Sequence, residues 1–232
     1  MLEVNQVRKE YRDILQTVTA VAVDNLIIKN GEQVALVGPS GSGKTTLLHL
    51  ISGLLTPTNG KIKFDDITIS DMTETWRDIW RAKAIGYVFQ RLNLLASLNI
   101  LDNLLVAMSF VNTIPKKEQR EWASQLLAQV NLSDKLGKFP HQLSMGEQQR
   151  GAVARAVINK PRIILADEPT ASLDQDNGLL VLEMLRKFAE ESCSILLVST
   201  HDRQIMSQFE RICSLRKAEK EVIQSATCDS LA

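Results

Sequence analysis

The stretch QVALVGPSGSGKTTLLHLI, residues 33 to 51, limits what this chain can fold into more than any other. An apolar run leads into GPSGSGKTT (38–46), which fits G-x-x-x-x-G-K-[ST], and a helical pattern follows at 44–53. Strand, glycine-rich turn and helix in that order make a P-loop. Its backbone N–H groups close round phosphates, and the positive end of the helix dipole faces their charge. Lys44 is placed to reach the β- and γ-phosphates, and the Thr45 hydroxyl to ligate Mg²⁺. Gly38, Pro39, Ser40, Gly41, Ser42, Gly43, Lys44, Thr45 and Thr46 are the expected nucleotide-binding residues.

Three further near-continuous apolar runs follow: AIGYVF (84–89), RIILAD (162–167) and SILLVS (194–199). Strands buried on both faces of a parallel sheet read this way. Helical patterns at 145–159 and 175–191 alternate with them, the first ending at Lys160-Pro161, where a helix must stop. Between Tyr87 and Ser144 the strand signal lapses. Ile100, Leu101, Leu104, Leu105 and Met108 repeat at helical spacing, as do Ala123, Leu126, Leu127 and Val130. The expected organisation over 1–232 is one α/β domain with a mostly parallel sheet and an inserted α-helical subdomain. Residues 1–89 and 160–232 form the core and about 90–159 the insertion.

ILADEP (164–169) supplies acidic groups at a strand end. Asp167 is expected in the Mg²⁺ shell, and Glu168, pointing differently, as the general base that polarises the attacking water. QLSMGEQQR (142–150) carries a capping box, Ser144 with Glu147, at the head of a helix. A helix start with exposed N–H groups also seats anions. Met145 then stands where room for a phosphate is wanted, between Ser144 and Gly146.

Composition narrows the function classes. The chain has 232 residues, 44% of them hydrophobic and 23% charged, enough for an ordinary core. Lys+Arg and Asp+Glu are both 27, so no basic surplus advertises nucleic acid. Cys193, Cys213 and Cys228 lack metal-ligand spacing and read as reduced thiols of a cytosolic compartment. Glu3, Arg8, Lys9 and Glu10 interrupt any leader-like apolar run. LNLLASLNILDNLLVAMSFVNTIP (92–115) has Asp102 as its only charge, but its asparagines and closing proline favour a loop and helix over a membrane span. Membrane contact is therefore expected through another chain.

The P-loop, Gln90 after an apolar strand, LSMGE (143–147), LADEP, ASLD (171–174) and His201 after SILLVST, in that order, resemble the nucleotide-binding domain of ABC transporters. The resemblance spans nearly the whole chain. It implies a P-loop NTPase core with an N-terminal antiparallel β part, and cassettes that dimerise head to tail around two ATP. Gln90 then joins Mg²⁺ and the attacking water to the membrane-subunit interface, and His201 touches the γ-phosphate. Ser144, Met145, Gly146, Glu147 and Asp174 face the partner's ATP. Tyr11 resembles the aromatic that stacks on adenine, although ordinary strand packing accounts for it nearly as well.

YVFQRLNLLASLNILDNL, NKPRIILADEPTASLD and VSTHD look similar to macrolide-exporter, lipoprotein-release and cell-division cassettes. The resemblance thus implies an ATP-hydrolysing subunit at the cytoplasmic face of the membrane, driving a transmembrane permease subunit for export or extraction. A regulatory cassette that signals without transport is the alternative, as is a soluble ABC ATPase acting on nucleic acid or ribosomes. The family's motif has Gly-Gly after the serine, so Met145 departs from it. Either its side chain leans away from the phosphate or the signature is weakened.

Overall fold

The structure is a computed structural model and describes residues 1–12, 17–111 and 113–217. Cys228 lies outside the described residues. In chain order the first elements are β1 (Leu2–Arg12), β2 (Thr17–Ile28), β3 (Gln33–Val37), α1 (Lys44–Ile51), β4 (Asn59–Phe64), β5 (Ile67–Thr68), α2 (Glu74–Ala84) and β6 (Ile85–Val88). Then come α3 (Ile100–Ser109), α4 (Lys116–Gln129), α5 (Met145–Val157), β7 (Ile163–Asp167), α6 (Gln175–Glu191), β8 (Ile195–Ser199), α7 (Arg203–Met206) and β9 (Arg211–Ser214).

All four apolar runs are strands of one parallel sheet, in the order β6-β7-β8-β3-β9. Their lack of polar alternation has a direct cause. Ile163, Leu165, Ile195, Leu197, Val34 and Leu36 pack on one face with α1 and the antiparallel strands. Ile164, Ala166, Leu196, Val198 and Ala35 pack on the other with α3, α4, α5 and α6. Both faces are covered, so β3, β7 and β8 are apolar except at Gln33 and at the carboxyl ends Asp167 and Ser199.

The antiparallel sheet has the order β2-β1-β4-β5. It begins at the N-terminus as expected but is completed by β4 and β5, which follow the P-loop helix. Leu2, Val4, Val7, Ile62 and Phe64 turn inward from it, while Glu3, Asn5, Arg8 and Lys63 lie on its wetter side. The 92–115 stretch forms a loop and α3, whose Ile100, Leu101, Leu104 and Met108 are buried in the core of the insertion. Leu101 is therefore core, whereas Leu95 stays 44% exposed. Among the described residues no helix is long and apolar enough to cross a membrane. α5 ends at Val157, and Lys160 takes φ 52° just before Pro161, so the chain turns out of the helix where the proline requires it. Among the described residues Cys193 and Cys213 form no disulfide.

Candidate functional site

The carboxyl ends of the parallel strands converge on one cleft, as expected for an open α/β sheet. Gly38 follows β3, Gln90 follows β6, Glu168 follows β7 and His201 follows β8. The cleft holds about 770 Å³ and is lined by residues 38–46, Gln90, Glu168, His201, Lys217 and the β2 residues Val18, Thr19 and Ala20. That volume lies within the range of small-molecule sites.

The P-loop leaves no doubt about its glycine at 43. Gly43 sits at φ +91°, and a Cβ there would stand 2.3 Å from the Ala20 carbonyl oxygen and 2.7 Å from Val21 Cβ. Only glycine brings the loop this close to β2 while holding a left-handed backbone. Lys44 folds its ammonium onto the loop's own carbonyls, donating to Gly38 O at 2.9 Å and Pro39 O at 3.4 Å. The Ser42 hydroxyl is buried without a hydrogen-bond partner among the described residues.

Asp167 ends β7 beside Ser199 of β8 in the parallel register. It is 3% exposed, and the Ser199 hydroxyl donates to its Oδ1 at 2.5 Å. The same Ser199 oxygen accepts from the Glu168 N–H at 3.0 Å. Glu168 takes φ 49°, a left-handed conformation unusual for a side-chain-bearing residue. This turn lifts its carboxylate off the strand line into the cleft, where Oε2 lies 2.6 Å from His201 Nδ1. Asp167 and Glu168, neighbours in sequence, thus occupy different places: one buried beside the sheet, one in the cleft.

Near Asp167 lies Tyr87, whose buried hydroxyl has no hydrogen-bond partner among the described residues. Burial first, and then the nearby Asp167 carboxylate, push the Tyr87 phenol well above its ordinary range. Its ring stacks on Phe89 at 4.1 Å, next to Gln90, and meets His49 at 5.7 Å.

Ser144 is the N-cap of α5 and completes the expected capping box. Its hydroxyl accepts from the Glu147 N–H at 3.3 Å, and its own N–H donates to Glu147 Oε2 at 2.8 Å. The backbone contact with Ser144 leads the lowering of the Glu147 carboxyl; burial opposes it, and the Ser144 hydroxyl, Lys135 and Arg150 add to the lowering. Met145 occupies the first helical position and is 49% exposed, with its side chain clear of the core. Gly146 is buried in the first turn, and a Cβ on it would meet Asn177 Oδ1 at 3.0 Å. A reason for this glycine therefore lies within the chain itself. Asp174 caps α6, accepting from the Asn177 N–H at 3.0 Å.

The sequence-expected residues fall into two groups. The P-loop, Gln90, Glu168 and His201 line one cleft, with Asp167 just behind it. Ser144, Met145, Gly146, Glu147 and Asp174 belong to α5 and α6 and are absent from its lining. Tyr11 is 49% exposed, with the Lys9 ammonium 5.4 Å from its ring. It pairs with Val18, which does line the cleft, while Tyr11 does not. Sequence reading missed Ser199, Lys217 and the β2 residues.

A family model described as ABC transporter matches residues 22–171. An uncharacterised ABC transporter ATP-binding protein of Methanocaldococcus jannaschii is 39% identical over 94% of this chain and 97% of its own length. The chain belongs to the ABC transporter ATP-binding family. This cassette is also 36% identical to the lipoprotein-releasing system ATP-binding protein LolD of Psychrobacter arcticus, over 95% of the chain and 98% of that protein. HrtA of Staphylococcus aureus, whose name proposes hemin import, is 38% identical over 92% of the chain and 96% of its own length. Among solved structures, the M. jannaschii cassette MJ0796, in a dimeric post-hydrolysis state bound to ADP and Pi, superposes with a TM-score of 0.86. It shares 36% identity and covers 97% of this chain and 99% of that one. The cassette binds ATP and hydrolyses it, as the ATP-binding subunit of an ABC transporter.

Proposed function

We propose that the cassette hydrolyses ATP in a composite site made by two copies of the chain, and that this drives a transmembrane partner in export or extraction. The separation of the two residue groups carries the reading. One face of the chain holds the P-loop and Glu168. Elsewhere, the start of α5 offers Ser144 and a capped row of N–H groups that its own cleft does not use. Two copies in opposite orientation bring these together, and the dimeric MJ0796 structures support that arrangement.

In this site the P-loop N–H groups and Lys44 hold the β- and γ-phosphates, exchanging the Gly38 and Pro39 carbonyls for phosphate oxygens. The Ser42 hydroxyl, buried and unpaired, is a ready further donor to phosphate. Thr45, Gln90 and Asp167 form an all-oxygen set that suits Mg²⁺, which keeps part of its coordination for water and phosphate. Bound there, the cation neutralises charge developing on the phosphates. Glu168 takes the proton of the attacking water, held by its backbone contact to Ser199 and its pairing with His201. Across the interface the Ser144 hydroxyl and the first N–H groups of α5 face the γ-phosphate, with Met145 turned aside. Tyr11 is left as a candidate for adenine, within reach of the cleft only if that wall closes on the base.

The likeness to LolD supports extraction or export as the direction, and the peripheral position follows from a membrane partner. Leu95, exposed on the loop after Gln90, is the apolar group best placed to meet it. The dilution series of ATPase activity tests the composite site. A dimer predicts that turnover per chain rises with protein concentration before it levels off. Turnover independent of concentration down to the nanomolar range would show that one chain suffices.

A further inference from the structure

We infer that Asn177 is a positioning residue: it ties the Asp174 turn to the helix that carries Ser144, and so sets within one chain the offset between two groups offered to the partner's ATP. The inference rests on the composite-site reading above. Capping of α6 needs only the backbone N–H of residue 177, which reaches Asp174 Oδ1 at 3.0 Å and which any residue but proline supplies. The side chain of Asn177 does something else. Its Nδ2 donates to Asp174 Oδ2 at 2.7 Å, and its Oδ1 faces α5, accepting from Arg150 Nη1 at 3.5 Å.

Arg150 is itself anchored, with Nε donating to the Val130 carbonyl at the end of α4 at 3.0 Å. A chain of polar contacts therefore runs from the Asp174 carboxylate through one amide to a guanidinium on the α5 helix. The α5 backbone is shaped to admit that amide. A Cβ at Gly146 would stand 3.0 Å from Asn177 Oδ1, 3.3 Å from its Cγ and 3.6 Å from Arg150 Nη1. The two backbone and side-chain contacts from Asn177 also lead the lowering of the Asp174 carboxyl. Gly146 and Asn177 thus fit as lock and bolt, and a change at either shifts Ser144 relative to Asp174.

The test is a cycle of Gly146→Ala, Asn177→Ala and the double variant, read as steady-state ATPase kcat and KM and as ATP binding by the isolated chain. Each single variant should lose on the order of tenfold in kcat while ATP affinity stays within about twofold, because the P-loop is elsewhere. The double variant should lose no more than the worse single variant, since removing the amide makes room for the alanine. Losses that multiply to about a hundredfold, or an Asn177→Ala variant with unchanged kcat, overturn the proposal. Asn177→Ser carries the same comparison if the alanine variant melts early. In a Glu168→Gln background, ATP-driven dimerisation separates the two readings. No dimer with Glu168→Gln alone defeats the composite site and this inference with it. A dimer there that Asn177→Ala leaves equally tight defeats the role of Asn177 alone.

Discussion

His201 Nδ1 lies 2.6 Å from Glu168 Oε2, joining a histidine that is 71% exposed to a carboxylate that is 15% exposed. The pair closes the floor of the cleft from the end of β8 to the end of β7. The histidine thus orients the Glu168 carboxylate, and in the proposed composite site it stands next to the γ-phosphate.

His201→Ala should therefore lower kcat on the order of 10² while ATP binding changes little, because the base loses its orienting partner and the P-loop keeps its contacts. Single-turnover ATPase rates beside equilibrium nucleotide binding check it. A parallel loss of binding would place His201 in nucleotide capture instead.

Ser199→Ala removes a fully buried hydroxyl that serves Asp167 and the Glu168 N–H together. Asp167 loses this partner, while the Glu168 N–H keeps the Ser199 carbonyl at 3.1 Å, and the change should cost about 1–3 kcal/mol of stability. The Mg²⁺ concentration for half-maximal ATPase activity should also rise, since Asp167 is no longer fixed. Thermal melts and a Mg²⁺ titration of ATPase activity measure the two effects.

Tyr87→Phe removes a buried, unpartnered hydroxyl and should be neutral or stabilising by about 1 kcal/mol in a melt at neutral pH. The alkaline limb tells more. The folded-state pKa of Tyr87 is raised, so its contribution is fully present below the unfolded value of about 10 and is lost as pH rises beyond it. Stability of the parent should fall above about pH 10 more steeply than that of Tyr87→Phe. Coincident limbs would show that this phenol ionises freely in the fold.

Met145→Gly should change activity only modestly, because the methionine side chain is exposed and α5 begins with its capping box intact. Ser144→Ala should cripple turnover by deleting the hydroxyl and half the box. Gly146→Met should do so by driving a side chain into Asn177. A large rise in activity for Met145→Gly would mean the methionine acts as a brake.

The parallel sheet and its P-loop were legible because burial on both faces forces unbroken apolar runs, and phosphate binding forces glycines at fixed offsets. The helices of the insertion were legible from Ile100, Leu104 and Met108 at helical spacing. The antiparallel sheet was expected only through the family resemblance, because its own strands give no clean pattern. NGKIKF of β4 buries only Ile62 and Phe64, and β1 breaks its alternation between Val4 and Val7, around Gln6 at φ 48°. α2 also escaped, since among its residues only Trp80 and Ala84 are buried while Trp76 is 63% exposed. Local motifs marked Lys44 and Glu168, which line the cleft, and Ser144, which does not. Ser199 was hidden as the closing serine of SILLVS, and Asn177 as an ordinary residue of a first helical turn. Their partners, Asp167 and Gly146, come from other elements, and such pairings exist only once the sheet register and the α5–α6 packing are set.

The most direct test is the Glu168→Gln variant incubated with ATP and Mg²⁺, with its mass in solution and its bound nucleotide measured together. The substitution keeps the shape of the side chain but removes the proton acceptor. The expected result is a turnover lower by about 10²–10⁴ and a stable dimer that retains unhydrolysed ATP, with Lys44→Ala in the same experiment binding none. A Glu168→Gln chain that turns over ATP at near the parent rate, or stays monomeric with ATP bound, would contradict the assignment of the base and the shared site.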